Sequence, residues 1–458
     1  MFEIREIASA LGAKAHGQAY VCGVSTDSRS IKPGELFVAL QGPNFDGHEF
    51  ISAAFHHGAS AAMLSRETGS EIPYLLVKDT RSALGQLAQV WRKRCGMPVV
   101  AITGSNGKTT VKEMLSAIAA AEWGNNQVLS TRGNFNNEIG LPLTLLQVRS
   151  FHRMAVLEMG MNHSGEIRYL SGIAMPDVAL VNNAQNAHLE GLGTVEAVAR
   201  AKGEIYEGLG SAGIAVINAD DRFFPLWCQL AKPREILTFG ISHGDIRARY
   251  VLEAVSSRIT LLLPDHAALD VRLNVPGEHN VRNAIAATAA ALAAGIGIDA
   301  IRNGLEGFVG VSGRLQIKSG QNGALLLDDS YNANPDSVRV AIDVLARQPG
   351  RKIFILGDMG ELGEKTAGLH SYIGDLTRDA GIDALYTVGH YSLQALQSFK
   401  GEGKHFDDQA ELVEHIRKQI DKNTTLLIKG SRFMKMERVV HALEAVENVD
   451  GFRGDTCF

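Results

Sequence analysis

The chain has 458 residues, 45% of them hydrophobic and 21% charged, with a formal net charge of −5. That length is more than one hydrophobic core serves, so roughly two to four domains of an ordinary globular protein are expected, with no disordered or fibrous class in view. The slight acidic excess argues against a basic nucleic-acid surface, yet it leaves room for a local basic pocket that takes a phosphorylated small molecule.

The opening segment MFEIREIASALGAKA carries acidic residues and no continuous apolar core, so it reads as neither a signal peptide nor an anchor. No apolar run approaches the length of a bilayer span. Cys22, Cys95, Cys228 and Cys457 are scattered without metal-ligand spacing, as expected of reduced thiols in a cytoplasmic protein without structural zinc. The expectation is a monomer with no nucleic-acid partner and no membrane insertion.

In chain order, residues 1–81 read as a small α/β module of short strands and turns (VCGVSTDSRS, KPGELFVAL, AAMLS, PYLLV) with a helical piece around Ile51–His57. Residues 82–311 alternate strand, loop and helix. PVVAIT, MAVLEM, DVALVN and GIAVIN are short apolar runs of the kind found in a parallel sheet covered on both faces. Within this stretch YVLEAVSSRITLLL and DVRLNV alternate in the manner of an antiparallel insertion, and the Ala-rich His279–Ala294 reads as a buried helix. Residues 312–458 restart the alternation with ALLLDD, KIFILGD, ALYTVG and TTLLIKG, a second doubly wound, Rossmann-like unit.

The first chemical signal follows the strand Pro98–Thr103. Gly104, Ser105, Asn106, Gly107, Lys108 and Thr109 form a Gly-rich turn, and Thr110 opens a helix whose Val111, Met114, Leu115 and Ile118 fall at core-facing spacing. Such a strand–turn–helix surrounds a phosphate with backbone N–H groups and the positive end of a helix dipole. Lys108 would reach the terminal phosphates and the Thr109 hydroxyl would ligate Mg²⁺. The loop is shorter than the usual motif, because Ile102 stands where the first Gly would be. At this point a kinase or a transport ATPase remains open, and so does a helix start with a solvated lysine.

Three further residues follow at the same sheet edge. Glu158 lies near the C-terminal end of the strand Met154–Met159, where a carboxylate can hold the nucleotide's Mg²⁺. His188 follows the strand Asp177–Asn182 in a loop, a position suited to metal or phosphate contact. Thr194 can cap a helix with Glu196 in its first turn, and that helix presents Lys202 two turns in. Taken alone, Lys202 reads as a solvated helix charge.

Together GSNGKTT, LEMGMNH, NNAQNAHLEGLG with AKGEI, GEHNVRNA, GRLQ, DDSYNANPDS, LGDMGELG and LIKGSR resemble the Mur ligase family of peptidoglycan synthesis across essentially the whole chain. Within the family the resemblance is nearest the branch that adds D-alanyl-D-alanine to a UDP-N-acetylmuramoyl-tripeptide. It implies three domains: a UDP-substrate domain, an ATP-binding domain and a C-terminal ligase domain. It implies ATP and Mg²⁺ as cofactors, with Lys108 and Thr109 in the phosphate loop, Glu158 as a magnesium contact and His188 at a second magnesium. Lys202 would be a carbamylated lysine, an anion able to ligate metal. Asn280 and Asn283 would read the adenine. Arg314 would reach the nucleotide, with Asp329 near its ribose and Tyr331 and Asn332 beside it.

The resemblance extends to the first module, where Ser25, Thr26, Asp27, Ser28 and Arg29, with Phe45, Asp46, Gly47 and His48, would line the UDP pocket. Asn134, Asn136 and Asn137 in GNFNNEIGLP would contact the UDP-linked substrate. Read without the resemblance, FDGH is plain turn chemistry and Arg29 a surface charge. The tail GFRGDTCF matches nothing in the family. The implied activity is an ATP-dependent, amide-forming ligase that passes through an acyl phosphate and releases ADP and phosphate. Two other readings stand beside it: a sister ligase adding a single amino acid or a folylpolyglutamate synthase, and a nucleotide-binding regulatory protein without ligase chemistry.

Overall fold

The computed structural model describes residues 1–67, 72–185, 189–264 and 266–445. The four apolar runs of the central stretch are strands at Val99–Thr103, Met154–Glu158, Val178–Val181 and Ile214–Asn218. The first three are buried at every position, which explains why they show no polar alternation. They form a six-stranded parallel sheet in the order Val128–Ser130, Met154–Glu158, Val99–Thr103, Val178–Val181, Ile214–Asn218, Glu235–Phe239. The earliest strand lies inside the sheet with later strands on both sides, so the chain reverses direction across it. That reversal opens a crevice beyond the strands' carboxyl ends.

A three-stranded antiparallel sheet, Arg247–Leu252, Ser257–Leu262 and Leu269–Leu273, is the expected insertion. It leads into the buried helix Glu278–Ala293. The C-terminal sheet has six strands in the order Gln316–Ser319, Leu325–Asp329, Thr424–Lys429, Arg351–Gly357, Ala384–Val388, Glu402–Phe406. All neighbours are parallel except the first pair. The N-terminal module is a five-stranded mixed sheet, ordered Lys14–His16, Tyr74–Leu76, Ala61–Leu64, Glu35–Val38, Gly23–Ser25. Its helical piece spans Ile51–His56. A second helix, Ile4–Leu11, occupies the segment read above for targeting signals alone.

The apolar cores cross the module boundaries. One cluster joins Leu36, Val38 and Met63 of the first module to Leu84, Leu87, Val99 and Ala101, so the helix Thr80–Arg94 serves both sheets. The boundary placed between residues 81 and 82 falls just inside that helix. On the opposite face of the central sheet, Val111, Met114, Leu115 and Ile118 pack with Ala284, Ile285 and Leu305. The C-terminal sheet carries a core on each face.

The helix after the phosphate loop, Lys108–Trp123, is fixed by close packing against the helix Ile298–Glu306. At their crossing a Cβ on Gly304 would lie 2.3 Å from Ile118 Cα and 2.5 Å from its N. Backbone atoms cannot yield as a flexible side chain can, and overpacking costs about 1–3 kcal/mol. Gly304→Ala is therefore expected to destabilise the protein by at least about 2 kcal/mol in thermal or denaturant unfolding. The control is Gly172→Ala in the helix Glu166–Ala174, where an added Cβ meets nothing within 4 Å. There the change is expected to be neutral or stabilising by up to about 1 kcal/mol, since Ala is the better helix former.

Candidate active site

The carboxyl ends of the central and C-terminal sheets face each other across a cleft of about 1020 Å³. Ser105, Asn106, Gly107, Lys108, Thr109, Thr110, Asn136, Glu158, Asn280 and Asn283 line one wall; Arg314, Asp329, Tyr331 and Asn332 line the other. Gly104 stands at the base of the first wall, where its carbonyl accepts the Lys108 ammonium at 2.6 Å.

The turn is held by the neighbouring loop that follows Val178–Val181. Ser105 N–H donates to Asn183 O at 3.0 Å, Asn106 N–H to Asn183 Oδ1 at 2.9 Å and Gln185 N–H to Ser105 Oγ at 2.9 Å. Asn182 and Asn183 both return a side-chain N–H to Asn106 O at 3.0 Å. Asn182 also donates to Asn283 Oδ1 at 3.1 Å, tying the turn to the helix Glu278–Ala293. Gly107 closes the turn with φ +79, and a Cβ there would lie 2.4 Å from Asn283 Oδ1 and 2.6 Å from Asn182 Nδ2. A side chain is excluded twice, by conformation and by space. The helix begins at Lys108, earlier than the sequence suggested, because Gly107 serves as its cap. Its first N–H groups, which lack intrahelical partners, open toward the cleft.

Glu158 is the last residue of its strand and is 3% exposed. Its Oε2 accepts Thr109 Oγ1–H at 2.8 Å and its Oε1 accepts Asn136 Nδ2–H at 2.8 Å. Burial lowers the Lys108 pKa, and the Arg314 charge adds to this while Glu158 opposes it. Lys202 is 1% exposed. It lies in the helix Val195–Gly203, whose first turn Thr194 caps by accepting Ala197 N–H at 3.2 Å. The solvated lysine of the isolated reading is thereby corrected: burial drives its pKa well down, and the nearby Lys108 charge drives it further.

The C-terminal wall has a matched polar design. Asp329 pairs with Lys429 Nζ at 2.6 Å and accepts Leu315 N–H at 3.2 Å; burial raises its pKa although Lys429 opposes this. The Arg314 guanidinium lies over the Tyr331 ring at 4.4 Å, with Arg432 on the same ring at 5.5 Å. Asn334 Nδ2 donates to Asn106 Oδ1 at 3.1 Å, a direct bond between the two walls. Lys429, Arg432, Asn182, Asn183 and Asn334 were not singled out from sequence, although LIKGSR, NNAQNAHLEGLG and DDSYNANPDS contain all five. His279, next to Asn280, also lines the cleft, and its buried Nδ1 has no hydrogen-bond partner.

His188 lies outside the described residues, as does the tail GFRGDTCF. The candidates for a UDP pocket do not line the cleft between the domains. Asp27 and Arg29 pair with each other at 2.8 Å; the arginine, whose side chain is 86% exposed, holds Asp27 down to about 2. Ser28 O accepts from His57 Nδ1 at 2.8 Å, and Phe45 is exposed. Asp46 accepts His48 N–H at 3.0 Å and His48 Nδ1–H at 2.7 Å, while His48 Nε2 accepts Ser65 N–H at 3.0 Å. This is turn chemistry with a fixed histidine tautomer. Asn137 Oδ1 accepts Gly140 N–H at 2.9 Å at the start of the helix Gly140–Leu145, and Asn134 O accepts Asn136 N–H at 2.8 Å.

Family models match three consecutive stretches of the chain. Residues 20–92 match the Mur ligase family catalytic domain, 102–291 the Mur ligase middle domain, and 313–432 the Mur ligase glutamate ligase domain. The UDP-N-acetylmuramoyl-tripeptide--D-alanyl-D-alanine ligase of Escherichia coli (strain K12) is 43% identical over 427 residues, covering 92% of this chain and 93% of that protein. The chain belongs to the Mur ligase family. Among solved Mur ligases, MurF from Acinetobacter baumannii is 37% identical, covers 95% of this chain and 97% of its own, and superposes with a TM-score of 0.88. The MurF ligase from Thermotoga maritima, solved in complex with ADP, is 30% identical with a TM-score of 0.82, covering 92% of this chain and 96% of that one.

For this Mur ligase the unpartnered His279 yields a pH prediction. Burial, with Lys429 nearby, lowers its pKa from 6.5 to about 4. The folded state thus holds it neutral where the unfolded chain already binds a proton, so acid favours unfolding. Stability from this residue is complete above about pH 6.5 and lost as pH falls toward 4. His279→Gln is expected to flatten that acid limb by about 1–3 kcal/mol, measured by denaturant unfolding at pH 4.5 and 7.5. An unchanged difference between the two pH values would contradict it.

Proposed function

We propose that this Mur ligase joins D-alanyl-D-alanine to UDP-N-acetylmuramoyl-tripeptide with ATP, giving the pentapeptide precursor of peptidoglycan with ADP and phosphate. The observation that carries the reading is the convergence of Lys108, Thr109 and Glu158 on the phosphate-loop end of the cleft, with the buried Lys202 near enough to feel the Lys108 charge. The choice of substrates draws on the 43% identity to the ligase of that name.

A carboxylate and an amine do not condense in water without activation. Transfer of the γ-phosphoryl group to the tripeptide's terminal carboxylate forms an acyl phosphate. Attack by the dipeptide amine gives a tetrahedral intermediate, which expels phosphate. Two anions must meet in the first step. Lys108, Arg314 and the N–H groups of the helix at Lys108 offset their repulsion. Asn280, Asn283, Asp329 and Tyr331 hold the base and ribose of ATP, and the Asn106–Asn334 bond marks where the walls close on it.

The donor set suits Mg²⁺. Thr109 Oγ1 and Glu158 Oε2 are two hard oxygens 2.8 Å apart, and the described residues contain no group of three or more His, Cys, Asp or Glu able to hold a metal. Phosphate oxygens and water would complete the shell, as is usual for Mg²⁺. Bound there, the ion neutralises charge on the phosphates. His188 at a second magnesium rests on the resemblance. Lys202 suits carbamylation, because burial lowers the pKa of its amine and so favours the neutral, nucleophilic form. Addition of the neutral amine to CO₂ forms the N–C bond and releases one proton, leaving an anion near Lys108.

Ser28, Arg29, Phe45, Asp46 and His48 would receive the UDP moiety, with Asn134 and Asn137 toward the peptide. Among the described residues no helix is long and apolar enough to cross a membrane. The ATP and UDP-linked substrates are cytoplasmic molecules, so we place the enzyme there, as a monomer.

Phosphate release is expected when UDP-tripeptide, D-alanyl-D-alanine and ATP are all present, and not with a single amino acid as the amine. Lys108→Ala is expected to lower turnover by about 10²–10³-fold. Lys202→Ala is expected to be inactive and to regain activity partly with added formate or acetate, a carboxylate replacing the lost carbamate. Turnover by Lys108→Ala at the wild-type rate would refute the assignment of the loop.

A further inference from the structure

The phosphate-loop helix carries a second buried lysine that the chemistry above does not use. Lys112 lies one turn beyond Lys108, and its side chain is 1% exposed. Its Nζ donates to the carbonyl of Thr131 at 2.7 Å and pairs with the Glu113 carboxylate at 2.6 Å. An ammonium this far from water is retained only where its protons find acceptors, so the group it grips is informative. Glu113, 40% exposed, is solvated and needs no buried partner. Lysines that merely line an interface run their heads out to water.

Thr131 follows the edge strand Val128–Ser130 and begins the segment containing Asn134 and Asn136. Its N–H donates to Val156 O at 3.1 Å, and its Oγ1 accepts Glu158 N–H at 3.0 Å. Further along, Asn136 donates to Glu158 Oε1 at 2.8 Å, and its carbonyl accepts Gly160 N–H at 2.9 Å. The other Glu158 oxygen takes Thr109 Oγ1–H at 2.8 Å, and Thr109 precedes Lys112 by three residues on the same helix. A closed ring results. The helix reaches Glu158 through Thr109, Glu158 reaches the segment through Asn136 and Thr131, and the segment returns to the helix through Lys112.

We propose that Lys112 is a positioning residue that locks the segment Thr131–Asn137 to the phosphate-loop helix and thereby sets the orientation of Glu158 and Asn136. It acts through these residues and touches neither substrate. Its kinetic consequence rests on the function proposed above: the UDP-linked acceptor, to which this segment is assigned, should feel its loss, and the dipeptide amine, to which no residue of the segment is assigned, should not.

The test uses the full chain with Lys112→Met, which keeps the stem and removes the ammonium. Hydrogen exchange at the amides of Thr131, Asn136, Glu158 and Gly160 is expected to quicken by about tenfold or more, while Ala101 and Leu180 in the adjoining strands keep their protection. KM for UDP-tripeptide is expected to rise about 5–20-fold, with KM for D-alanyl-D-alanine within about twofold. In an Asn136→Ala background, Lys112→Met should add less than about twofold, because both changes act through one ring. A role in stability alone would lower Tm and kcat and leave both KM values unchanged. Wild-type exchange at those amides, or effects that multiply with Asn136→Ala, would overturn the proposal. Should Lys112→Met fail to fold, Thr131→Val removes the hydroxyl that takes Glu158 N–H; wild-type exchange and KM in that variant would overturn it equally. A wild-type enzyme that turned over no UDP-tripeptide would defeat the functional reading, and the exchange measurement would still judge the lock.

Discussion

Glu158 ends a strand buried on both faces, and its carboxylate lies near enough to Lys108 for the two charges to interact. Lys108 and Arg314 bear on the same region, and Lys202 is near enough for the Lys108 charge to depress its pKa. At the low effective dielectric of such a place, unit charges a few ångströms apart interact by several kcal/mol, so one carboxylate does not balance them. The structure relieves the excess in the way buried lysines usually do, by favouring their neutral forms. A triphosphate relieves it better, because its oxygens offer the negative charge that the side chains lack. The carbamate proposed at Lys202 would act in the same direction, placing a negative charge near Lys108.

The arrangement is divided between two sheets, and the division has a physical purpose. The central sheet supplies a rigid cradle, since the Asn182–Gln185 loop holds Ser105 and Asn106 from the side and Gly107 packs against Asn283. The C-terminal sheet supplies Arg314 and the Asp329–Lys429 pair on the ends of its own strands. Leu315 sits between them with φ +52, a left-handed conformation that costs an L-residue energy, and its N–H is secured by Asp329. Arg314, the residue before Leu315, lies over the Tyr331 ring at 4.4 Å. On the function proposed above the nucleotide contacts are shared between the two walls, so the site would be complete only with both in place.

Much of this was legible in the sequence because strand burial and helix periodicity leave plain marks. The internal strands are unbroken apolar runs, and the Lys108–Trp123 helix shows its stripe at Val111, Met114, Leu115 and Ile118. The edge strands Glu235–Phe239 and Glu402–Phe406 escaped notice, since one side faces water and their composition is mixed. Lys202 was misread in isolation because helical spacing cannot say which face a neighbouring sheet covers. The cross-loop bonds of Asn182 and Asn183 were equally hidden. They depend on two strands adjacent in space whose loops are 77 residues apart in the chain. In the first module, FDGH could be read as a turn, but not that Asp46 and Ser65 lock His48 between them.

The acceptor and phosphoryl ends of the site are also joined mechanically. Arg81, at the junction with the first module, donates to Gln41 O at 3.4 Å and pairs with Glu138 at 3.3 Å, just beyond Asn137. Asn136 touches one oxygen of Glu158, and Thr109 touches the other. A path of polar contacts therefore runs from the module assigned to the UDP moiety to the hydroxyl assigned to magnesium. A cation taking both Thr109 Oγ1 and Glu158 Oε2 would replace the 2.8 Å bond between them, at the carboxylate that Asn136 also holds. Loading the nucleotide end would thus bear directly on the segment assigned to the acceptor. An acyl phosphate needs its two anionic reactants brought together in one orientation, and a carboxylate shared between their binding segments is a compact way to register both.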